Sequence, residues 1–222
     1  AERLKKWPHL PLIEGNKIIN PTVTGKDQEQ ITTQLTERSV RFIEKNKDKP
    51  FFLYVPHPMV HVPLYVSDKF KGKSKAGLFG DVMMEIDWSV GQILGTLRKH
   101  QLDQNTLVIF TSDNGAEKNS NIATGPFRSH KGSCYEGWHR VPFIAAWPAG
   151  GVGDGRADTP GQSNDSIIGL TDMYATFAEM AGAALPDLAS GAKGAEDSVS
   201  VLPALRGKTL RNRPPLFFND HK

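Results

Sequence analysis

Cysteine is almost missing from this chain: Cys134 is the single one in 222 residues. One thiol excludes an internal disulfide framework and a cysteine-based zinc cluster. Long apolar runs are missing too, so nothing in the sequence reads as a membrane span. No basic stretch followed by an apolar one marks a signal peptide within these residues, as would also hold for a mature exported protein. Charge of one sign is scarce. The net charge is +3, and the basic residues are scattered apart from a cluster over residues 69–75, which argues against a nucleic-acid partner. There is no internal repeat and no low-complexity block, although residues 183–195 are rich in small side chains. What is present is an apolar fraction of 38%. In a chain of this length that is enough to bury the core of one large domain, or of a domain with a further fragment.

Residues 1–25 hold prolines at positions 8, 11 and 21 and little periodicity, and read as an irregular connecting segment. Residues 27–47 are expected to form a helix. Asp27 and Gln30 have capping-box spacing, and Ile31, Leu35, Ser39, Phe42 and Ile43 share one face. Lys45, Lys47 and Lys49 complement its C-terminal end, and Pro50 stops it. Phe51-Phe-Leu-Tyr-Val55 reads as a buried strand running into Pro56-His-Pro-Met-Val-His-Val-Pro63, a loop stiffened by three prolines. Residues 67–80 read as an exposed basic loop. A second helix is expected over residues 81–100, with Asp81 as its N-cap and Val82, Ile86, Val90, Ile93, Leu94 and Leu97 as its buried stripe.

Leu107-Val-Ile-Phe-Thr-Ser-Asp-Asn-Gly115 is the centre of the pattern. Four apolar residues running into a polar turn read as a strand buried on both faces, as in a parallel sheet. Strand, long helix and strand form a βαβ unit, which would set His61 and the Asp113–Asn114 pair at the same carboxyl edge of the sheet, where α/β folds bind ligands. Asp113 and Asn114 offer only oxygen donors, the chemistry of a hard cation such as Ca²⁺. They are also ordinary turn residues, with Gly115 permitting the turn. Residues 116–140 make a long polar loop of the kind that is functional or disordered. Further on, a strand is expected at residues 143–147, a short strand at 166–169, a helix from a Thr171 cap to Ala181 with Met173, Phe177 and Met180 inward and Gly182 ending it, and the start of a strand at 216–218.

The ordered series Pro50-Phe-Phe-Leu-Tyr, His61-Val-Pro63, Gly80-Asp, Glu85-Ile-Asp87, Thr106 to Gly115, Lys131-Gly, Glu136-Gly137 and Arg140-Val-Pro142 resembles the type I sulfatases of the arylsulfatase A kind. The resemblance covers roughly residues 25–215. It implies an α/β fold like that of alkaline phosphatase, with a mostly parallel sheet flanked by helices, here incomplete. It divides the chain into a connecting segment (1–26), the central-to-late part of the catalytic domain (27–218) and a truncated end (219–222). It implies sulfate ester hydrolysis by a formylglycine nucleophile and one divalent cation, Ca²⁺ with Mg²⁺ as the alternative. On the matched positions, Asp113 and Asn114 are metal ligands, Lys131 holds the sulfate, and His61 contacts the sulfate and moves a proton. Those chemistries are coherent: an ammonium and a cation oppose the negative charge that gathers on the sulfuryl and leaving oxygens, and an imidazole serves as acid or base near neutral pH. Glu136 and Arg140 read as an ion pair bracing the loop and supporting those groups from behind. His57, His130 and His139 read as exposed or packing histidines, and Cys134 as a small packing residue.

The departures are specific. The Cys-x-Pro-Ser-Arg motif that yields formylglycine has no counterpart, since Cys134 is followed by Tyr135-Glu-Gly137. The family's early aspartate pair, lysine and histidine are also unmatched. The resemblance therefore implies a partial active site, without sulfatase turnover by these residues alone. A phosphatase or phosphodiesterase of the same superfamily is the nearest alternative. Those dizinc enzymes place histidine after the aspartate, because zinc favours imidazole, where this chain has Asn114. The other alternative is a non-catalytic domain that binds sulfated glycans. The expected partner is a sulfate ester, an aryl sulfate or a sulfated glycan, with neither nucleic acid nor membrane. Unpaired sheet edges would favour self-association. Family likeness is compatible with the periplasm, the cell exterior or the lysosome.

Overall fold

The computed structural model describes residues 10–118, 124–156, 158–211 and 213–217. The chain divides into two compact units, Ala1–Leu102 and Asp103–Lys222. Each has its own helices and its own two-stranded sheet.

The first unit opens with an antiparallel hairpin, β1 (Leu12–Glu14) and β2 (Lys17–Asn20), turning at Gly15 with φ +57°. The expected irregular segment thus contains regular structure. Its two short apolar pairs, Leu12-Ile13 and Ile18-Ile19, on either side of the polar turn at Gly15 are a hairpin signal that the flanking prolines obscure. Arg38 clamps the hairpin onto the next helix with two hydrogen bonds to Glu14, 3.2 and 3.0 Å.

That helix, α1 (Gly25–Asn46), begins one turn before the expected cap. Thr24 is the N-cap and Asp27 the third helical residue. The Thr24 backbone N–H donates to Asp27 at 2.7 Å, and the Asp27 N–H donates to the Thr24 hydroxyl at 3.3 Å. Thr24 and Asp27 have the same three-residue spacing as Asp27 and Gln30, and the hydroxyl takes the cap. The Thr24 side-chain and backbone donors hold the Asp27 carboxyl below its usual pKa.

The second long helix, α2 (Gly77–Lys99), also starts early, at an Ala76 cap without a side-chain bond. Asp81 is not its cap. It lies inside the helix, buried, with its carboxylate accepting the Ser74 N–H at 2.7 Å and the Gly72 N–H at 2.8 Å. Those two amides keep the Asp81 carboxyl below its ordinary value. The basic loop before α2 is therefore tied to the helix rather than loose.

A polar seam joins α1 to α2. Thr32, Thr36 and Ser39 are buried on α1, and Glu85 and Ser89 on α2. Thr36 Oγ1 stands 2.6 Å from Ser89 Oγ. Small side chains let the two backbones approach, and each hydroxyl must then find a partner because an unpaired buried polar group is costly. Glu85, 1% exposed, accepts the Thr33 hydroxyl at 2.9 Å and the Ser67 N–H at 3.0 Å. On either side of the seam the packing is apolar. Ile43, Val82 and Leu97 are buried, and Met59, Val66, Phe70, Val82 and Ile86 form one cluster roofed by Leu64, Tyr65 and Trp88. Val90, Ile93 and Leu94 of the expected stripe are only half-buried.

Residues 51–55 do not form the expected strand. Phe52 and Tyr54 are 69% and 75% exposed, while Phe51, Leu53 and Val55 are half-buried, with Phe51 edge-on to Phe42 of α1. A strand exists only within a ladder, and neither sheet among the described residues includes this segment.

In the second unit, β3 (Val108–Thr111) pairs antiparallel with β4 (Phe143–Ala146), with Val108 opposite Ala146 and Thr111 opposite Phe143. The expected parallel partner, buried on both faces, is replaced by a two-stranded ribbon with Phe110 and Ile144 exposed. One-turn helix α3 (Glu136–His139) precedes β4. Residues 166–169 form no strand, and neither do Leu216 and Phe217; Phe218 lies outside the described residues.

A 3₁₀ turn, Leu170–Asp172, leads into α4 (Met173–Met180), which buries Ala175 and Thr176 and leaves Met173, Phe177 and Met180 half-buried. Asp172, not Thr171, organises this start: its carboxylate accepts the Gly169 N–H at 2.7 Å and the Val199 N–H at 3.2 Å. Arg213 completes it with a two-pronged ion pair, Nη2 to Oδ1 at 2.9 Å and to Oδ2 at 2.7 Å, both side chains buried. Gly182, with φ +66°, ends α4 as expected. A last short helix, α5 (Leu202–Leu205), packs Leu202 and Ala204 inward. No helix among the described residues is long and apolar enough to cross a membrane.

Candidate active site

Strand β3 ends at Thr111 and delivers Ser112, Asp113 and Asn114 into a tight turn. The Ser112 hydroxyl donates to the Asn114 carbonyl at 2.9 Å, and the Asn114 amide donates to Asp113 Oδ2 at 2.6 Å. Both metal-ligand candidates therefore sit side by side, Asp113 exposed and Asn114 half-buried.

Gly115 carries the turn into the loop that follows. Its N–H donates to the Trp138 carbonyl at 2.8 Å, and a Cβ at this position would stand 2.0 Å from the Gly137 carbonyl oxygen. Its φ is not in the left-handed region. Glycine is needed here for close approach rather than for the turn conformation. Gly137 is equally confined, with a Cβ there falling 2.2 Å from the Ser129 carbonyl oxygen, and its N–H donates to Arg128 at 2.9 Å.

The Lys131 N–H donates to the Ala116 carbonyl at 2.8 Å. Three pieces of chain, 113–116, 128–131 and 136–139, are thus bound to one another by backbone hydrogen bonds across two glycines. Asp113, Asn114 and Lys131 are brought into one loop cluster.

Stacked cations stiffen that cluster. The Arg128 guanidinium lies 3.7 Å from the centre of the Tyr135 ring, and that of Arg140 lies 4.3 Å from the Phe127 ring. Glu136 and Arg140 are 3.4 Å apart, both well exposed, so the pair itself contributes little to stability. The His130 ring donates Nδ1–H to the Lys131 carbonyl at 2.8 Å, which further restrains the lysine backbone. Cys134 is a free, exposed thiol followed by Tyr135.

His61 belongs to the first unit and is exposed. Its Nδ1 lies 2.7 Å from the Val62 carbonyl. A carbonyl can only accept, so Nδ1 bears the proton and Nε2 of the neutral ring presents a lone pair outward. That is the form of a proton acceptor, and of a donor once protonated.

The oxygen pair of Asp113 and Asn114 suits a hard divalent cation better than zinc, which favours imidazole or thiolate. Turning the Asn114 amide over would present its Oδ1 beside Asp113 Oδ2, making both oxygens available to one cation. Ca²⁺ requires six to eight oxygens, and no group of three or more His, Cys, Asp and Glu able to hold a metal occurs among the described residues. Asp113 and Asn114 therefore fit one portion of such a site.

His57, expected as an exposed or packing histidine, is half-buried against the seam between α1 and α2. Its Nε2 is 3.3 Å from Ser89 Oγ, and its Nδ1 is buried without a partner among the described residues. Burial lowers its pKa, with Glu85 acting in the opposite direction. Buried Glu85 could have been found in the sequence, because it stands in the apolar stripe of α2 one turn from Ser89.

A family model described as Sulfatase matches residues 5–183. The chain belongs to the sulfatase family. Human steryl-sulfatase is 34% identical over 199 residues, a match covering 86% of this chain and 32% of that protein. The N-acetylgalactosamine-6-O-sulfatase of Bacteroides thetaiotaomicron is 34% identical over 218 residues, covering 93% and 39%. Among solved structures, the PsFucS1 sulfatase from Pseudoalteromonas superposes with a TM-score of 0.75 at 32% identity, over 88% of this chain and 38% of that one. The chain spans about a third to two fifths of the length of the curated relatives it matches. Its fold is part of the alkaline-phosphatase-like α/β domain of the sulfatases.

Proposed function

We propose that these residues serve the hydrolysis of sulfate esters, with aryl sulfates or sulfated glycans as substrates, and that they supply only part of the catalytic site. The observation that supports this most directly is the loop cluster that holds Asp113, Asn114 and Lys131 together in a chain of the sulfatase family. Lys131 attracts the sulfate and opposes the negative charge that develops on its oxygens. His61 moves a proton at Nε2, with its ring set by the bond from Nδ1 to the Val62 carbonyl. Glu136 and Arg140 brace the loop. Asp113 and Asn114 would hold a Ca²⁺ ion, or Mg²⁺ in its place, which would draw electron density from the sulfuryl oxygens. A formylglycine, for which no cysteine here has the motif, would supply the nucleophile.

Two assays test this reading with 4-nitrophenyl sulfate and 4-nitrophenyl phosphate. The 222 residues alone are expected to hydrolyse neither. A polypeptide that joins them to a matured Cys-x-Pro-Ser-Arg segment is expected to hydrolyse the sulfate, and Lys131→Ala to reduce its kcat/KM by about 10²-fold or more. Preference for the phosphate, or binding without turnover in the joined polypeptide, would overturn it.

We also propose that the isolated chain self-associates, because Phe52, Tyr54, Ile144, Ile167 and Phe217 are each more than 60% exposed. Light scattering is expected to show species larger than a monomer, and a monodisperse monomer would refute this.

A further inference from the structure

We infer that His57 is a positioning residue for His61, holding the loop that presents it through a hydrogen-bond relay into the α1–α2 seam. The inference rests on the proposed role of His61.

Three contacts fix the relay. His57 Nε2 is 3.3 Å from Ser89 Oγ, Ser89 Oγ is 2.6 Å from Thr36 Oγ1, and Thr36 Oγ1 is 2.7 Å from the Thr32 carbonyl. The carbonyl can only accept, so Thr36 spends its one proton there. Ser89 must then donate to Thr36, and His57 must donate Nε2–H to Ser89. No other arrangement puts one proton in each contact. Ser89 and Thr36 are 0% and 1% exposed, so water offers no substitute partner.

His57 and Met59 are the two inward-facing residues of this loop; Pro58, Val60 and His61 face outward. Met59 packs in the apolar cluster with Val66, Phe70, Val82 and Ile86, and its sulfur accepts the Tyr65 N–H at 3.4 Å. Between and beyond these two anchors the chain has little freedom. Pro56, Pro58 and Pro63 restrict φ, and the His61 N–H closes a turn onto the Pro58 carbonyl at 3.1 Å. His61 therefore stands two residues past one anchor and four past the other. Met59 holds the loop by apolar packing and one weak bond to sulfur. His57 adds a directional bond, and with it an orientation.

The side chain required at position 57 is a nitrogen donor at the reach of Nε2, which glutamine can supply and phenylalanine cannot. The test is NMR of the 222-residue protein, reading the His61 Cε1–Hε1 resonance and hydrogen exchange of the His61 amide. His57→Phe and Ser89→Ala are each expected to shift or broaden the His61 ring signal and to speed its amide exchange roughly tenfold, while the amides of α1 and α2 keep their protection. His57→Gln is expected to restore the parent behaviour. Ser89→Ala keeps the helix intact if His57→Phe disturbs the fold. Unchanged His61 signals in Ser89→Ala, or a His57→Gln variant as perturbed as His57→Phe, would overturn the inference. Failure of the catalytic reading would show differently, as normal turnover by His61→Ala in the joined polypeptide.

Discussion

The Gly137 carbonyl oxygen occupies the space that a side chain on Gly115 would need, at 2.0 Å from the ideal Cβ position. This contact binds the turn bearing Asp113 and Asn114 to the loop bearing Lys131. Gly115→Ala must therefore push the two backbones apart and strain the Gly115 N–H bond to Trp138. The expected cost is about 1–3 kcal/mol, the range for inserting a carbon where packing is tight. Chemical denaturation followed by tryptophan fluorescence checks it. Gly132→Ala is a useful contrast, because a Cβ there meets nothing within 4 Å, although its φ of +85° adds backbone strain.

The buried pair of Asp172 and Arg213 carries the second prediction. Arg213→Ala leaves a fully buried carboxylate whose remaining donors among the described residues are the Gly169 and Val199 amides. Breaking a buried pair from one side costs about 3–5 kcal/mol. The denaturation midpoint is expected to fall accordingly, and the amides of 169–172 and 199 are expected to lose hydrogen-exchange protection first. The Glu136–Arg140 ion pair, by contrast, is exposed, and Glu136→Gln, which removes its charge and keeps the Arg140 stack on Phe127, is expected to change stability little.

The third prediction concerns pH. Burial lowers the folded-state pKa of His57, with the Glu85 charge pulling the other way. A histidine whose folded pKa lies below its unfolded value favours the neutral ring in the fold. Its contribution is complete above the unfolded pKa, about 6.5, and is lost as pH falls toward the lower folded value. Asp81 follows the same direction in a more acidic window, since its carboxyl is depressed by the Ser74 and Gly72 amides. Denaturation at pH 7.5, 6.5 and 5.5 is expected to show falling stability, with a shallower fall in His57→Gln.

Local structure was legible in the sequence where its cause is local. The 3.6-residue apolar spacing placed both long helices, and Gly182 marked the end of α4. Both helices start about a turn before the expected caps: the Thr24 hydroxyl takes the cap of α1 from Asp27, and only the fold shows that Asp81 is occupied with the Gly72 and Ser74 amides inside α2. Strand pairing was not legible. Residues 51–55 have a strand's composition, but a ladder needs a neighbour, and β3 found β4 in the opposite direction. At the site, the Asp113–Asn114 pair and Lys131 stood out through family likeness. The reason they lie together did not, because the crowding at Gly115 and Gly137 is between residues distant in sequence. Within the seam, Glu85 and Ser39 stand on the helices' apolar faces in the sequence, but the pairing of Thr36 with Ser89 and His57 is not legible there, because it joins residues distant in sequence.

The central claim is that the Asp113–Asn114 turn and Lys131 hold a hard cation and a sulfate ester together. Titration of the ¹⁵N-labelled chain, first with Ca²⁺ and then with 4-nitrophenyl sulfate, tests it most directly. Ca²⁺ is expected to shift the amides of 113–116, and the sulfate ester then to shift those of 130–132, with the second response lost in Lys131→Ala. Shifts that fall elsewhere, or a sulfate response that survives Lys131→Ala, would contradict it.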